Sequence, residues 1–248
     1  MCGVKITVLD SSDAVARALA HTIADALREK PGLVLGLATG RTPVDAYAEL
    51  RRMHEGGDGD WSRASTFNLD EFAGIAASHR GSFRQFMQRH LFDGVNIDPA
   101  RIHFLNGAAA NLDAECDRYE EAIRRVGGID LQVLGIGRNG HIGFNEPGDE
   151  LITRTHRVRL LQSTRRDNAP LFGDDPSEVP AEALSMGIGT ILQARRIVLV
   201  ATGAKKADCI AQTVNGSITT RVPASVLQVH GHVEVLLDRA AAARVRPT

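Results

Sequence analysis

The chain has 248 residues, 43% hydrophobic and 24% charged, a balance that supports one large core and excludes a disordered or fibrous polypeptide. Its 29 Lys and Arg against 30 Asp and Glu leave a formal net charge of -1. The basic residues are scattered, so neither a nucleic-acid footprint nor a membrane-binding patch is expected, and the partner implied is a small molecule.

Short apolar runs of strand length alternate with longer segments of helical period. That alternation predicts an α/β fold: a Rossmann-like parallel sheet with helices on both faces, in a single domain over 1–248. Residues 4–9 read as the first strand. Ser12 is placed to cap a helix whose Val15, Leu19, Ile23 and Leu27 share one face, and Pro31 and Gly32 close it. Residues 33–37 read as the second strand, and Pro43 as the first residue of a helix carrying Tyr47 and Leu50. After the loop Gly56-Gly57-Asp58-Gly59 come a strand near 66–69, a helix near 82–91 and a strand over 102–105. A helix over 111–126 stops at Gly127-Gly128, and a buried strand over 131–136 runs into Gly137-Arg138-Asn139-Gly140-His141. Residues 163–180 are rich in charge and proline and read as a mobile flap. A strand over 197–201, a helix ending near Asn215 with Gly216 as its stop, and a strand over 233–237 complete the pattern.

Cys2, Cys116 and Cys209 are distant from one another and odd in number, which fits a reducing, cytoplasmic setting and no disulfide framework. No stretch approaches the roughly 18 uncharged apolar residues of a membrane span, and no secretory leader is expected.

In open parallel sheets, ligands bind beyond the carboxyl ends of the strands. Four segments come directly after predicted strands and should meet there: 38–42, 70–71, 137–146 and 202–206. Thr39, Gly40, Arg41 and Thr42 combine backbone amides, hydroxyls and a helix start, a set suited to a phosphate, and Lys206 can neutralise an anion at a second helix start. Each turn taken alone also fits ordinary punctuation between elements. Gly135, Gly137 and Gly140 spell GxGxxG, but the downstream residues 143–148 read as loop where a dinucleotide site needs a helix. Asp70 at the end of its strand is a candidate general base. His141 can carry a proton near neutral pH, with Glu146 five residues on and Asn139 beside it to orient the ring. Solvated surface charges and a loop histidine are the competing readings. Together these groups point to proton-transfer chemistry on a sugar phosphate. A metal site from Asp70, His141 and Glu146 is not expected, since no HExxH or paired-histidine spacing occurs. His230-Gly231-His232 reads as a surface turn.

At these residues the chain resembles the glucosamine-6-phosphate deaminases, also called glucosamine-6-phosphate isomerases. The likeness rests on LGLATGRTP over 35–43, FNLDEF over 67–72, LGIGRNGHIGFNEPG over 134–148, SMGIGTIL over 185–192, and 202–206. The related 6-phosphogluconolactonases share the fold but not Ile142-Gly143-Phe144-Asn145-Glu146-Pro147. The resemblance implies conversion of glucosamine 6-phosphate and water to fructose 6-phosphate and ammonia in amino-sugar breakdown, with no organic cofactor and no metal. It implies that His141 assists ring opening, supported by Glu146 and Asn139. Asp70 would move a proton between C2 and C1, with Glu71 structural. Thr39, Gly40, Thr42 and Lys206 would hold the phosphate, with 163–180 as a lid. Pro170 stands where the family carries a phosphate-binding Arg, so Arg41, which replaces a small residue, or Arg165 or Arg166 is expected to supply that charge. His156 and Val158 stand where longer relatives place basic contacts for an allosteric ligand, so the short, non-allosteric type is implied, as a monomer or small homo-oligomer. Deamination of galactosamine 6-phosphate, and a non-catalytic sugar-phosphate sensor, remain the alternatives.

Overall fold

The computed structural model describes residues 4–246; Cys2 lies outside them. In chain order the elements are β1 (Lys5–Leu9), α1 (Ser12–Glu29), β2 (Val34–Leu37), α2 (Arg41–Glu55), β3 (Ser65–Asn68), β4 (Asp70–Phe72), α3 (Phe83–His90), β5 (Ile102–His103), α4 (Leu112–Arg125), β6 (Leu131–Leu134), β7 (His156–Arg159), α5 (Gln162–Asn168), β8 (Glu182–Ser185), α6 (Ile188–Leu192), β9 (Arg196–Ala201), α7 (Ala207–Asn215) and β10 (Val233–Asp238). Seven strands form one parallel sheet in the order β1-β10-β9-β6-β2-β3-β5. The central β2 and β6 are buried at every position, as covering on both faces requires. From β2 the chain proceeds outward through β3 to β5, and from β6 it proceeds the other way through β9 to β10. This reversal between neighbouring strands leaves a crevice at their carboxyl ends.

The parallel sheet and its helices match the α/β expectation; two starts move. The cap of α1 is Ser11, not Ser12: Ser11 is extended, and its Oγ accepts from the Ala14 N–H at 3.2 Å. Helix α2 begins at Arg41, two residues before Pro43. Proline is tolerated there because the first four helical N–H groups have no carbonyl partner in any case.

Sequence pattern alone missed a second, antiparallel sheet in the order β4-β8-β7. Leu69 joins the two sheets. Its N–H donates to the Leu37 carbonyl at 3.1 Å, and its carbonyl accepts from Met186 at 2.7 Å. The next residue, Asp70, starts β4 opposite Ser185. Residues 163–180 carry more structure than their composition indicates. Helix α5 and a 3-10 turn over Ala169–Phe172 bury Thr164, Ala169 and Phe172, Val179 is buried beyond them, and the Phe172 ring meets Phe72 edge-on at 5.1 Å. His230 sits in a surface turn as expected, with Nε2 2.8 Å from the Ala194 carbonyl.

Candidate active site

A cleft of about 870 Å3 opens beyond the strand ends. Its walls are the turn after β2, Leu69 and Asp70, the loop after β6, and the turn after β9. Those are the four segments expected to meet. Helix α5 adds a fifth wall through Thr164, Asp167 and Asn168.

One end of the cleft is built for an anion. Thr39, Gly40, Arg41 and Thr42 all line it. Gly40 caps α2 at φ 109°, in the left-handed region open to glycine, and no side chain occupies the helix start. The first amides of a 15-residue helix are thus left for a ligand, with the helix dipole favouring negative charge. Beneath this turn the buried Tyr47 hydroxyl donates to the Ala38 carbonyl at 2.5 Å. In the second turn, the Gly203 N–H is held by the Asp238 carboxylate at 3.1 and 2.9 Å, which fixes the turn carrying Lys206. The Lys206 ammonium donates to the Ile136 carbonyl at 2.6 Å. Burial lowers its pKa below the ordinary lysine value, so an approaching anion would restore favourable charge pairing.

Two further lining residues can carry protons. Asp70 is only 6% exposed, and among the described residues its carboxyl oxygens have no hydrogen-bond donor. Burial, and secondarily the neighbouring Glu71, push its pKa up to about 8. Glu71 points the other way. Its carboxylate accepts from the Ser82 hydroxyl at 2.7 Å and from the N–H groups of Phe72, Phe83 and Arg84, so it caps α3. His141 lines the cleft on a tight turn in which the Gly140 N–H returns to the Gly137 carbonyl at 3.1 Å. Only glycine fits at 137, because a Cβ there would lie 2.3 Å from the imidazole Cε1 and 2.5 Å from both ring nitrogens.

Behind the ring, Glu146 Oε2 stands 3.3 Å from His141 Nδ1, off the line of a directed hydrogen bond. The same oxygen accepts from Asn139 Nδ2 at 2.9 Å, and Oε1 accepts from the Thr164 hydroxyl. Asn139 Oδ1 in turn accepts from the His141 N–H at 3.2 Å. Burial alone would raise the Glu146 pKa. The contacts with His141, Thr164 and Asn139 outweigh it and hold the group below the ordinary glutamate value, as an anion. The loop is tied to the small sheet: Phe144 N–H donates to Ser185 Oγ at 3.0 Å, and Asn145 Nδ2 to the Met186 carbonyl at 2.9 Å.

A family model described as glucosamine-6-phosphate isomerases/6-phosphogluconolactonase matches residues 9–236. The chain belongs to this family. It is 49% identical over 244 residues to glucosamine-6-phosphate deaminase 2 of Giardia intestinalis, covering 98% of this chain and 92% of that one. It is 46% identical over 243 residues to glucosamine-6-phosphate deaminase 2 of Bacillus subtilis (strain 168), covering 98% of each. The fold matches a solved monomeric glucosamine-6-phosphate deaminase with a TM-score of 0.94 at 41% identity, covering 97% of this chain and all of that one (100%). The resemblance read from the motifs is thereby borne out.

Within this family frame, Asp70, His141, Thr39, Gly40, Arg41, Thr42 and Lys206 face one cleft, while Asn139 and Glu146 stand behind His141. The compensation expected of Arg165 does not fit. Its guanidinium is engaged by the Val179 and Ser177 carbonyls at 3.0 and 3.1 Å, and neither it nor Arg166 lines the cleft. Arg41 does line it. No three His, Cys, Asp or Glu side chains among the described residues are grouped to hold a metal ion. Sequence reasoning passed over Arg138, Thr164, Asp167 and Asn168. Only Arg138 carried a signal, as a cation inside the loop that bears His141; the others enter through α5.

Proposed function

We propose that the protein is a glucosamine-6-phosphate deaminase, converting glucosamine 6-phosphate and water to fructose 6-phosphate and ammonia. The observation that carries this reading is one cleft lined by two anion-suited turns, by a carboxyl of near-neutral pKa and by an imidazole backed by a carboxylate. The names of relatives at 46–49% identity over nearly the whole chain support it.

Thr39, Gly40, Thr42 and Lys206 hold the phosphate, with Arg41 near the same turn, and so present the sugar to Asp70 and His141. His141, oriented by Glu146 and Asn139, transfers a proton at the ring oxygen and opens the pyranose. Asp70 then takes the proton from C2, giving an enolamine, and returns a proton to C1. The resulting C2 iminium is hydrolysed by water and ammonia leaves. Oxidation gained at C2 is lost at C1, so the change asks for no organic cofactor. A pKa of about 8 suits a base that must both accept and return a proton near neutrality. The substrate's own ammonium beside Asp70 favours the ionised form. Residues 163–180, whose α5 forms one wall, act as a lid that limits bulk water during the enolamine stage.

The chain works as a monomer in the cytosol. A solved deaminase of 41% identity is described as monomeric, and Cys116 and Cys209 are buried free thiols. No helix among the described residues is long and apolar enough to cross a membrane.

The test is a coupled assay for ammonia and fructose 6-phosphate from glucosamine 6-phosphate, with galactosamine 6-phosphate in parallel. Stoichiometric release of both products from the gluco sugar, abolished in Asp70→Asn, is the expected result. Preference for the galacto sugar would reassign the substrate, and sugar-phosphate binding without ammonia release from either would make the protein a sensor.

A further inference from the structure

The loop that carries His141 places one more cation on the cleft. Arg138 occupies the second position of the 137–140 turn, whose backbone is fixed by the Gly140 N–H to Gly137 carbonyl bond of 3.1 Å. Its guanidinium forms a fork on Asp167: Nε donates to Oδ2 at 3.2 Å, and a terminal nitrogen donates to Oδ1. Both residues line the cleft, and their side chains are 52% and 44% exposed. Pairs this exposed contribute little to stability, so the bond is cheap to break. Asp167 also lies in the last turn of α5, where a carboxylate opposes the helix dipole and gains nothing from the helix itself. Burial is the main influence on the nearby Lys206 ammonium, but Asp167 raises and Arg138 lowers its pKa, which sets all three groups within electrostatic reach.

We propose that Arg138 is a substrate-phosphate ligand held in reserve: Asp167 occupies its fork in the empty cleft, and an entering phosphomonoester takes the guanidinium away from it. Guanidinium binds phosphate oxygens through the same two-pronged geometry it uses for a carboxylate, and a dianion beside Lys206 outcompetes a half-exposed monoanion. Asp167 is then an internal competitor. It keeps the cationic end of the cleft from standing unpaired, and its release frees the C-terminal end of α5 as substrate arrives. This deepens the proposed function, since it rests on the cleft accepting a sugar phosphate.

The two partners should respond in opposite directions. Arg138→Gln removes two charge-assisted hydrogen bonds, so its KM for glucosamine 6-phosphate and its Kd for inorganic phosphate should rise by about ten- to a hundredfold, with kcat falling much less. Asp167→Asn removes the competitor, and its Kd for inorganic phosphate should fall by a factor of about two to ten relative to wild type. Arg138→Lys, which keeps the charge but not the fork, should recover only part of the loss. A purely structural latch between the loop and α5 predicts otherwise: either substitution would break it, and both would weaken phosphate binding and lower Tm together. That result overturns the proposal, as does an Arg138→Gln enzyme with wild-type KM. Failure of the functional reading looks different, because wild-type protein would then release no ammonia, whatever the two substitutions do to phosphate binding.

Discussion

Replacing Asp70 with Asn tests the least ordinary feature of the site, a carboxyl held mostly neutral by its surroundings. Its pKa moves from an ordinary 3.8 to about 8 on folding. At pH 7 roughly one molecule in ten then carries the ionised form. Between pH 4 and 8 the folded protein keeps a proton that the unfolded chain has lost, so the contribution of this residue to stability is fully present below about pH 4 and disappears as pH rises through about 8. At about 1.4 kcal/mol per pH unit, wild type should lose about 4 kcal/mol from this residue between pH 5 and pH 8.5. Asp70→Asn has no proton to lose, and titrations not coupled to Asp70 cancel in the comparison. Its stability relative to wild type should therefore climb by about that amount across the interval, visible as a Tm gap widening by roughly 8–15 °C for a chain of this size. Thermal melts of both proteins at pH 5 and pH 8.5 measure it, while the same variant should lose ammonia release by at least about a thousandfold. A Tm difference that stays constant with pH would refute the claim that Asp70 is kept protonated by burial.

Three further substitutions probe the shell around the reacting groups. Gly137→Ala drives a Cβ to within 2.3 Å of the His141 ring, so kcat should fall by about a hundredfold through displacement of the imidazole; turnover within twofold of wild type would show that the turn yields instead. Thr164→Val takes the hydroxyl donor from Glu146 and should raise that carboxylate's pKa, moving the acidic limb of the kcat/KM profile to higher pH. An unmoved limb would separate Glu146 from the rate. Tyr119→Phe leaves the Asn68 carbonyl without its 2.7 Å donor just before Asp70, and urea titration should read a loss of about 1–3 kcal/mol.

The parallel sheet was legible because its strands are apolar runs separated by helical period, and the site was legible because such a sheet has one functional edge. Strand β4 was not, since its Asp-Glu-Phe is buried while its letters describe a surface turn. Strand β7 alternates charged and half-buried residues too short to stand out. Asp70 could be named from its place at a strand end, but its raised pKa could not, because the burial comes from residues distant in sequence. The pairing of Glu146 with His141 followed from a spacing of five, whereas Thr164 reaches Glu146 from 18 residues away and only α5 explains it. Composition marked 163–180 as loop because four buried anchors are outnumbered by charges and prolines. Arg165 was a reasonable candidate by charge alone; its carbonyl partners are set by tertiary structure.

The seam at Leu69 divides the work of the cleft between two platforms. Asp70 and the His141 loop are both pinned to β8, through Ser185 and Met186. The turns at 39–42 and 203–206 ride on the large sheet, and the His141 loop is anchored to both sheets, leaving β6 at one end and tied to β8 at the other. Leu69, bonded to both sheets, is the hinge-pin of this arrangement, and a substitution that disturbs its two backbone bonds would reach Asp70 on one side and β2 on the other.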